Sequence, residues 1–138
     1  MRKRTLAREF ALQVLYQLDM TGDTPENALD NFWSNRKDEE VDAGLKEFSF
    51  ELVEGVVQNQ EEIDKRIVQF AANWQLKRMA VVDRNIMRLG VFELIFRGDI
   101  PPKVSINEAV ELAKKFSGSE SGKFVNAILD KVKLEENK

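Results

Sequence analysis

Apolar residues recur three and four positions apart through most of this chain, the spacing that lays a stripe along one side of an α-helix. Leu6, Phe10, Ala11, Val14 and Leu18 form the first stripe, which predicts a helix over residues 4–20 ended by Thr21-Gly22. Thr24-Pro25 opens a second helix, with proline in the first turn, where its missing N–H costs nothing. The acidic residues 38–42 predict a loop. After them Leu45, Phe48, Leu52, Val53, Val56 and Val57 mark a long helix, and Ile63, Ile67, Val68 and Phe70 add a further turn or two. A helix from about 82 to 97 stops at Gly98, and Pro101-Pro102 prevents its resumption. There is no alternating run long enough for a strand, and no repeat or low-complexity segment. The expected fold is all-α: one domain over residues 1–138, a compact bundle of about six or seven helices.

Two segments carry more detail. Around Ile86, Met87, Leu89, Val91, Phe92, Leu94, Ile95 and Phe96 the apolar positions circle almost the whole helical wheel, so this helix should be the buried centre of the bundle. Gly90 in its middle costs about 1 kcal/mol of helix propensity against alanine, which predicts the close approach of another helix. Further on, Ser105-Ile-Asn-Glu108 has the spacing of a capping box at a helix start. Ile106, Ala109, Val110, Leu112, Ala113 and Phe116 share the apolar side of that helix, and Gly118 ends it. Ser119 or Ser121 can cap a last helix, whose apolar face is Phe124, Val125, Ile128, Leu129 and Val132.

Composition narrows the class. With 43% hydrophobic and 33% charged residues the chain is a soluble globular protein rather than a disordered one. It has no cysteine and no histidine, so disulfides, thiolate or imidazole metal sites and histidine-based triads are out of reach, and an intracellular setting is expected. The opening MRKR resembles the start of a secretory signal, but Arg8, Glu9 and Gln13 interrupt the apolar run that would have to follow. No window approaches the roughly 20 apolar residues of a membrane span.

The net charge of −3 hides an uneven distribution. Residues 1–8 carry Arg2, Lys3, Arg4 and Arg8 and no acid. Residues 36–65 carry ten acids against four bases, and residues 66–103 carry seven bases against three acids. A chain polarised in this way can present a basic surface to phosphate while staying acidic elsewhere; ordinary scatter of surface charge is the alternative. Tyr16 falls outside the stripe of the first helix, on its polar side with Glu9 and Gln13. It is either a tyrosine at the margin of the core with its hydroxyl in water, or a platform for an unpaired base.

Catalytic motifs fail on inspection. Gly118-Ser-Glu-Ser-Gly122-Lys123 resembles a phosphate-binding P-loop, yet its first glycine is one residue too close and Phe124 stands where a magnesium-binding hydroxyl belongs. What remains there is a helix start with two serines and a lysine, able to cap a helix or hold one backbone phosphate. The carboxylate pairs Glu61-Glu62 and Glu135-Glu136 sit in charged runs expected to be solvated, poor settings for acid–base work. No active site, cofactor or metal is expected.

The order of residues resembles the NusB family of bacterial RNA-binding transcription antitermination factors along nearly the whole chain. Ala7-Arg8-Glu9-Phe10-Ala11-Leu12-Gln13-Val14-Leu15-Tyr16 is similar to the family's first helix. Val82-Asp83-Arg84 and Arg88-Leu89-Gly90-Val91-Phe92-Glu93-Leu94 are similar to its central helix, and Ile100-Pro101 to the break after it. Asn107-Glu108-Ala109, Glu111-Leu112-Ala113-Lys114 and Lys123-Phe124-Val125-Asn126 followed by Leu129-Asp130 match its C-terminal signature.

The resemblance implies a non-catalytic adaptor. It would bind the single-stranded boxA element of nascent ribosomal RNA together with the small-subunit ribosomal protein that doubles as NusE, and join the antitermination complex on RNA polymerase. The RNA surface it implies comprises Arg4, Arg8, Gln13 and Tyr16, with Arg2 and Lys3 in the same leader, and Ser119, Glu120, Ser121, Lys123 and Phe124. Arg4 and Arg8 are expected to be removable with little loss of stability. Asp83 and Arg84 would meet the ribosomal partner on a surface separate from the RNA. Glu120 and Gly122 depart from the family's usual shorter aspartate and larger residue, which bears on the contacts of that loop. Two alternatives stay open: a protein–protein scaffold, and the related RNA-binding domain of rRNA cytosine methyltransferases, whose glycine-rich cofactor-binding half this sequence lacks.

Overall fold

The structure, a computed structural model, describes residues 3–36, 41–71 and 79–136. Arg2 and the acidic residues 38–40 of the predicted loop lie outside this range. Seven helices and no strand are present among the described residues: α1 (Lys3–Thr21), α2 (Pro25–Ser34), α3 (Ala43–Gln58), α4 (Gln60–Phe70), α5 (Val81–Phe96), α6 (Pro102–Phe116) and α7 (Ser119–Glu136). They divide into two compact units, Met1–Gln58 with α1–α3 and Asn59–Lys138 with α4–α7. No helix among the described residues is long and apolar enough to cross a membrane.

In the first unit α1, α2 and α3 pack pairwise. Phe10, Phe32 and Trp33 meet edge to face with ring centroids 5.0–5.7 Å apart, the arrangement the ring quadrupole favours. Gly22 closes α1 at φ +72°, a backbone conformation glycine adopts without strain, and its N–H donates to the Leu18 carbonyl. Thr24 then caps α2: its Oγ1 accepts from the Asn27 N–H at 3.2 Å. Thr24→Ala should therefore lower the unfolding free energy by about 1 kcal/mol, read as a shifted urea midpoint at constant slope. Asp42 caps α3 by accepting from the Leu45 N–H at 3.2 Å. That bond, followed by the Lys3 ammonium, holds the Asp42 carboxyl below its usual range.

Phe10, Ala11 and Val14 of the apolar stripe of α1 are buried and Leu6 and Leu18 half-buried, but Arg8 and Glu9, outside that stripe, are buried as well. Arg8 is only 2% exposed, with its guanidinium 5.4 Å from the Phe48 ring centroid. The expectation that it can be removed cheaply is thus overturned, because truncation would leave a cavity and strip a cation from an aromatic face.

The second unit is organised around α5, against which α4, α6 and α7 pack. Every residue from Asn85 to Glu93 is buried, as the all-round apolar pattern predicts, whereas Leu94 and Ile95 are half-buried and Phe96, at the end of the helix, is exposed. A Cβ on Gly90 would lie 2.6 Å from Leu129 Cδ1, so the bare glycine is what lets α7 approach α5.

The predicted capping box does not form. Pro101-Pro102 starts α6 one turn earlier, and Ser105 sits inside the helix with its N–H on the Pro101 carbonyl. Its buried hydroxyl instead donates to Glu93 Oε1 at 2.8 Å, giving that buried carboxylate a partner. Gly118 ends α6 at φ +130° with its N–H on the Ala113 carbonyl. Two residues assigned to core stripes, Val68 and Phe116, are exposed. The Glu135-Glu136 pair is not a free solvated run either: Arg66 Nη2 lies 3.1 Å from Glu135 and 2.6 Å from Glu136.

Candidate nucleic-acid interface

In the first unit α1 carries the predicted leader and the predicted aromatic platform along one helix. Lys3 and Arg4, at its start, are exposed. Lys3 approaches Asp42 at 3.4 Å, a pair of exposed charges that contributes little and leaves the ammonium accessible. The Arg4 guanidinium covers the Phe48 ring at 4.4 Å, which holds its stem and leaves its donors toward solvent. About three turns further along the helix, Gln13 and Tyr16 are both exposed, with Tyr16 at 42%.

Gln13 and Tyr16 line a recess of about 410 Å³ together with Gln17, Met20, Phe32, Asn35 and Arg36. Arg36 is not among the residues the sequence singles out. It sits in a run of charges directly before the acidic segment, and nothing in one dimension shows that it folds back on α1. Its Nη2 donates to Gln13 Oε1 at 3.1 Å, and its Cζ stands 3.9 Å from the Phe32 ring centroid.

In the second unit the Ser119–Phe124 segment forms the first turn and a half of α7. Ser119, Glu120 and Lys123 are exposed, and Phe124 is half-buried. The Lys123 ammonium lies 3.5 Å from Glu120, whose carboxylate is favoured by the positive end of the helix dipole. Glu120 thus occupies part of the electrostatic role an incoming phosphate would take. Ser121 is not a free anion donor in the manner of a P-loop. Ser121 does not cap the helix; its Oγ donates to Asp83 Oδ2 at 3.1 Å. Gly122 is buried against α6, where a Cβ would meet Lys114 Cγ at 3.0 Å, so the small residue serves helix packing.

That Ser121–Asp83 bond changes the layout expected from sequence. Asp83 and Arg84 stand in the first turn of α5 and are half-buried. Asp83 Oδ1 is shielded from solvent and has no hydrogen-bond partner among the described residues. The segment expected to face RNA and the carboxylate expected to face a protein partner are therefore joined by a hydrogen bond.

Among the described residues the protein is an all-helical domain that carries exposed cations at the start of α1 and a recess lined by Gln13 and Tyr16 further along the same helix. Comparison with known proteins makes the assignment specific. The chain belongs to the NusB family, whose family model matches residues 5–133. It is 50% identical over 136 residues to a protein of Myxococcus xanthus named transcription antitermination protein NusB, covering 98% of this chain and 97% of that one. Among solved structures it is similar to T. maritima NusB, with a TM-score of 0.85 and 35% identity over 96% of this chain and 91% of that one. It is also similar to a chain from a crystal structure of antitermination factors NusB and NusE in complex with double-stranded RNA. There the TM-score is 0.86 and the identity 33%, over 98% of both chains.

Proposed function

We propose that this protein is an RNA-binding adaptor of transcription antitermination, acting in the cytoplasm and catalysing no reaction. It binds a single-stranded boxA-type element of ribosomal RNA together with the small-subunit ribosomal protein that acts as NusE, and brings both to the transcribing polymerase. The observation that carries this reading is the open face of α1, with cationic Lys3 and Arg4 at its start and exposed Tyr16 beside Gln13 further along. Basic side chains suit a phosphate backbone and carry no sequence information, whereas an aromatic face with an amide beside it suits a splayed-out base. Family membership, and the complex with NusE and RNA formed by a structural relative, support the same reading.

The test is an anisotropy titration of a labelled uridine-rich single strand, and of the same sequence as a duplex, at several salt concentrations. Tighter binding of the single strand, weakening as salt rises, is the expected result. Indifference to RNA would favour a protein–protein scaffold, and equal or tighter binding of the duplex would overturn the single-strand preference. In the same assay, replacing Lys3 and Arg4 with alanine should reduce the slope of log affinity against log salt by about 0.7 for each phosphate no longer neutralised. Thermal unfolding should change little, since both residues are exposed; Arg8 is unsuited to this test because it is buried.

Tyr16→Ala should cost roughly 1–3 kcal/mol of RNA affinity, and Tyr16→Phe much less, because the ring rather than the hydroxyl stacks. Its exposure separates this from a folding effect: the alanine variant should melt where the parent does. An alanine variant that binds normally would remove Tyr16 from the interface.

A further inference from the structure

One helix of the first unit carries an outward face that the RNA-binding reading leaves unused. The rotation of α3 is fixed by its inner side: Leu52, Val53 and Val56 are buried, and the buried Ser49 hydroxyl donates to the Ala7 carbonyl of α1 at 3.0 Å. At about 3.6 residues per turn, Glu47, Glu51 and Glu54 then fall in one row on the opposite side, with Phe50 and Val57 in a second row beside it. Glu47 is exposed, the Phe50 ring is 43% exposed, and Glu51, Glu54 and Val57 are half-buried.

The charges on this face oppose what a helix by itself favours. Carboxylates three and four residues apart repel one another. The row also runs toward the C-terminal end of α3, where the macrodipole favours cations, yet the last turn has no basic residue. Lys46 is the one base of the helix, and it lies off the row, 5.4 Å from the Trp33 ring centroid on α2. Gln58 Nε2 donates to Glu54 Oε1 at 2.9 Å, a neutral partner that leaves the negative charge in place. A cation brought from outside would relieve both the repulsion and the dipole. A phosphate backbone would be repelled by the same row.

We propose that this face of α3 docks a second protein through a cationic helical segment. Lysines or arginines three and four residues apart on that segment would meet Glu47, Glu51 and Glu54, and an apolar side chain between them would cover Phe50 and Val57. The carboxylates have the spacing that the cations of a facing helix would have, and an apolar patch with a charged border is the anatomy of a protein–protein contact. The proposal is independent of the RNA-binding reading, so either can fail without the other.

The test uses the full chain and a labelled peptide of about 15 residues, long enough to form a helix. It is built from alanine, lysine and leucine, with lysines at the spacing of the three carboxylates and leucines beside them; a scrambled peptide of the same composition is the control. The patterned peptide should bind at least about ten-fold more tightly than the scrambled one, and Glu47→Gln with Glu54→Gln should remove most of that difference. Phe50→Ala should weaken the patterned peptide about five-fold without moving the thermal midpoint, because the ring is exposed. Equal binding of the two peptides, no binding of either, or a preference that survives these variants would overturn the docking face. Affinity for the uridine-rich single strand should hold or rise in the glutamine variant, which has lost two negative charges. A fall would place the row in the RNA interface and overturn the proposal. Should a variant fail to fold, NMR of the parent decides: the patterned peptide should shift the backbone amide signals of Glu47, Phe50 and Glu54 and leave those of Gln13 and Tyr16 still. The reverse pattern would refute the docking face. A parent that binds the patterned peptide and no RNA would leave this proposal standing and overturn the RNA-binding function.

Discussion

Replacing Arg88 with alanine will lower the stability of the protein by about 3 kcal/mol, at the lower end of the range for breaking a buried ion pair. The side chain is 7% exposed and forms a two-pronged contact with Asp64 of α4, Nε to Oδ1 at 2.8 Å and Nη2 to Oδ2 at 3.1 Å. Its Nη1 donates to Asn85 Oδ1 at 3.2 Å, and Asn85 Nδ2 donates in turn to the Val81 carbonyl at 2.9 Å. Alanine would strand the Asp64 carboxylate, remove one donor from Asn85 and leave a void beside α5. Because Asp64 is 23% exposed, water can recover part of its loss, hence the lower end of the range. Removing both charges with Arg88→Met and Asp64→Leu should cost far less than the single change, since neither charge is then left unpaired. Urea unfolding checks this; a loss below about 1 kcal/mol for Arg88→Ala would mean the pair is worth no more than a surface one.

The contact of Gly90 with Leu129 sets the second large effect. Leu129 is fully buried, so Leu129→Ala should cost roughly 2–5 kcal/mol through forfeited transfer energy and the cavity left behind. Gly90→Ala works in two opposed directions. Alanine gains about 1 kcal/mol of helix propensity, but its Cβ would stand 2.6 Å and 3.0 Å from the two Leu129 methyls, and overpacking of that kind typically costs about 1–3 kcal/mol. A modest net destabilisation is expected. The decisive quantity is the double variant. With Leu129 shortened, the added methyl fits the space vacated, so the combined loss should fall short of the sum of the single losses by about 0.5–3 kcal/mol. Additive losses would show that Gly90 is present for some reason other than the approach of α7.

The helices were legible because burial imposes periodicity, and a period survives projection onto one dimension. Gly90 could be read as a packing residue since a mid-helix glycine is costly and demands a cause. Thr24-Pro25 could be read as a helix start because capping is a local matter of a few adjacent residues. Ser105 misled for the same reason: Ser-x-x-Glu is a local pattern, yet two prolines just before it had already begun the helix. Arg8 escaped the wheel because a charged side chain can be buried when it finds a partner, and its partner, the Phe48 ring, lies on another helix. The same holds for the site. Tyr16 and Gln13 stand out on one helix, whereas Arg36 joins them from 20 residues beyond Tyr16, and Ser121 reaches Asp83 from 38 residues away. Side-chain pairs between elements are the part of a site that a single sequence conceals.

The central claim is that the protein holds RNA and a protein partner at once. The most direct measurement is sedimentation velocity on a mixture of three components, with fluorescence detection of the RNA: this protein, a uridine-rich boxA-type single strand, and the small-subunit ribosomal protein that acts as NusE. The account predicts one species containing all three, formed at RNA concentrations no higher than those needed without the partner. Release of the RNA as the partner is added, or a partner that sediments alone beside the protein–RNA pair, would contradict it.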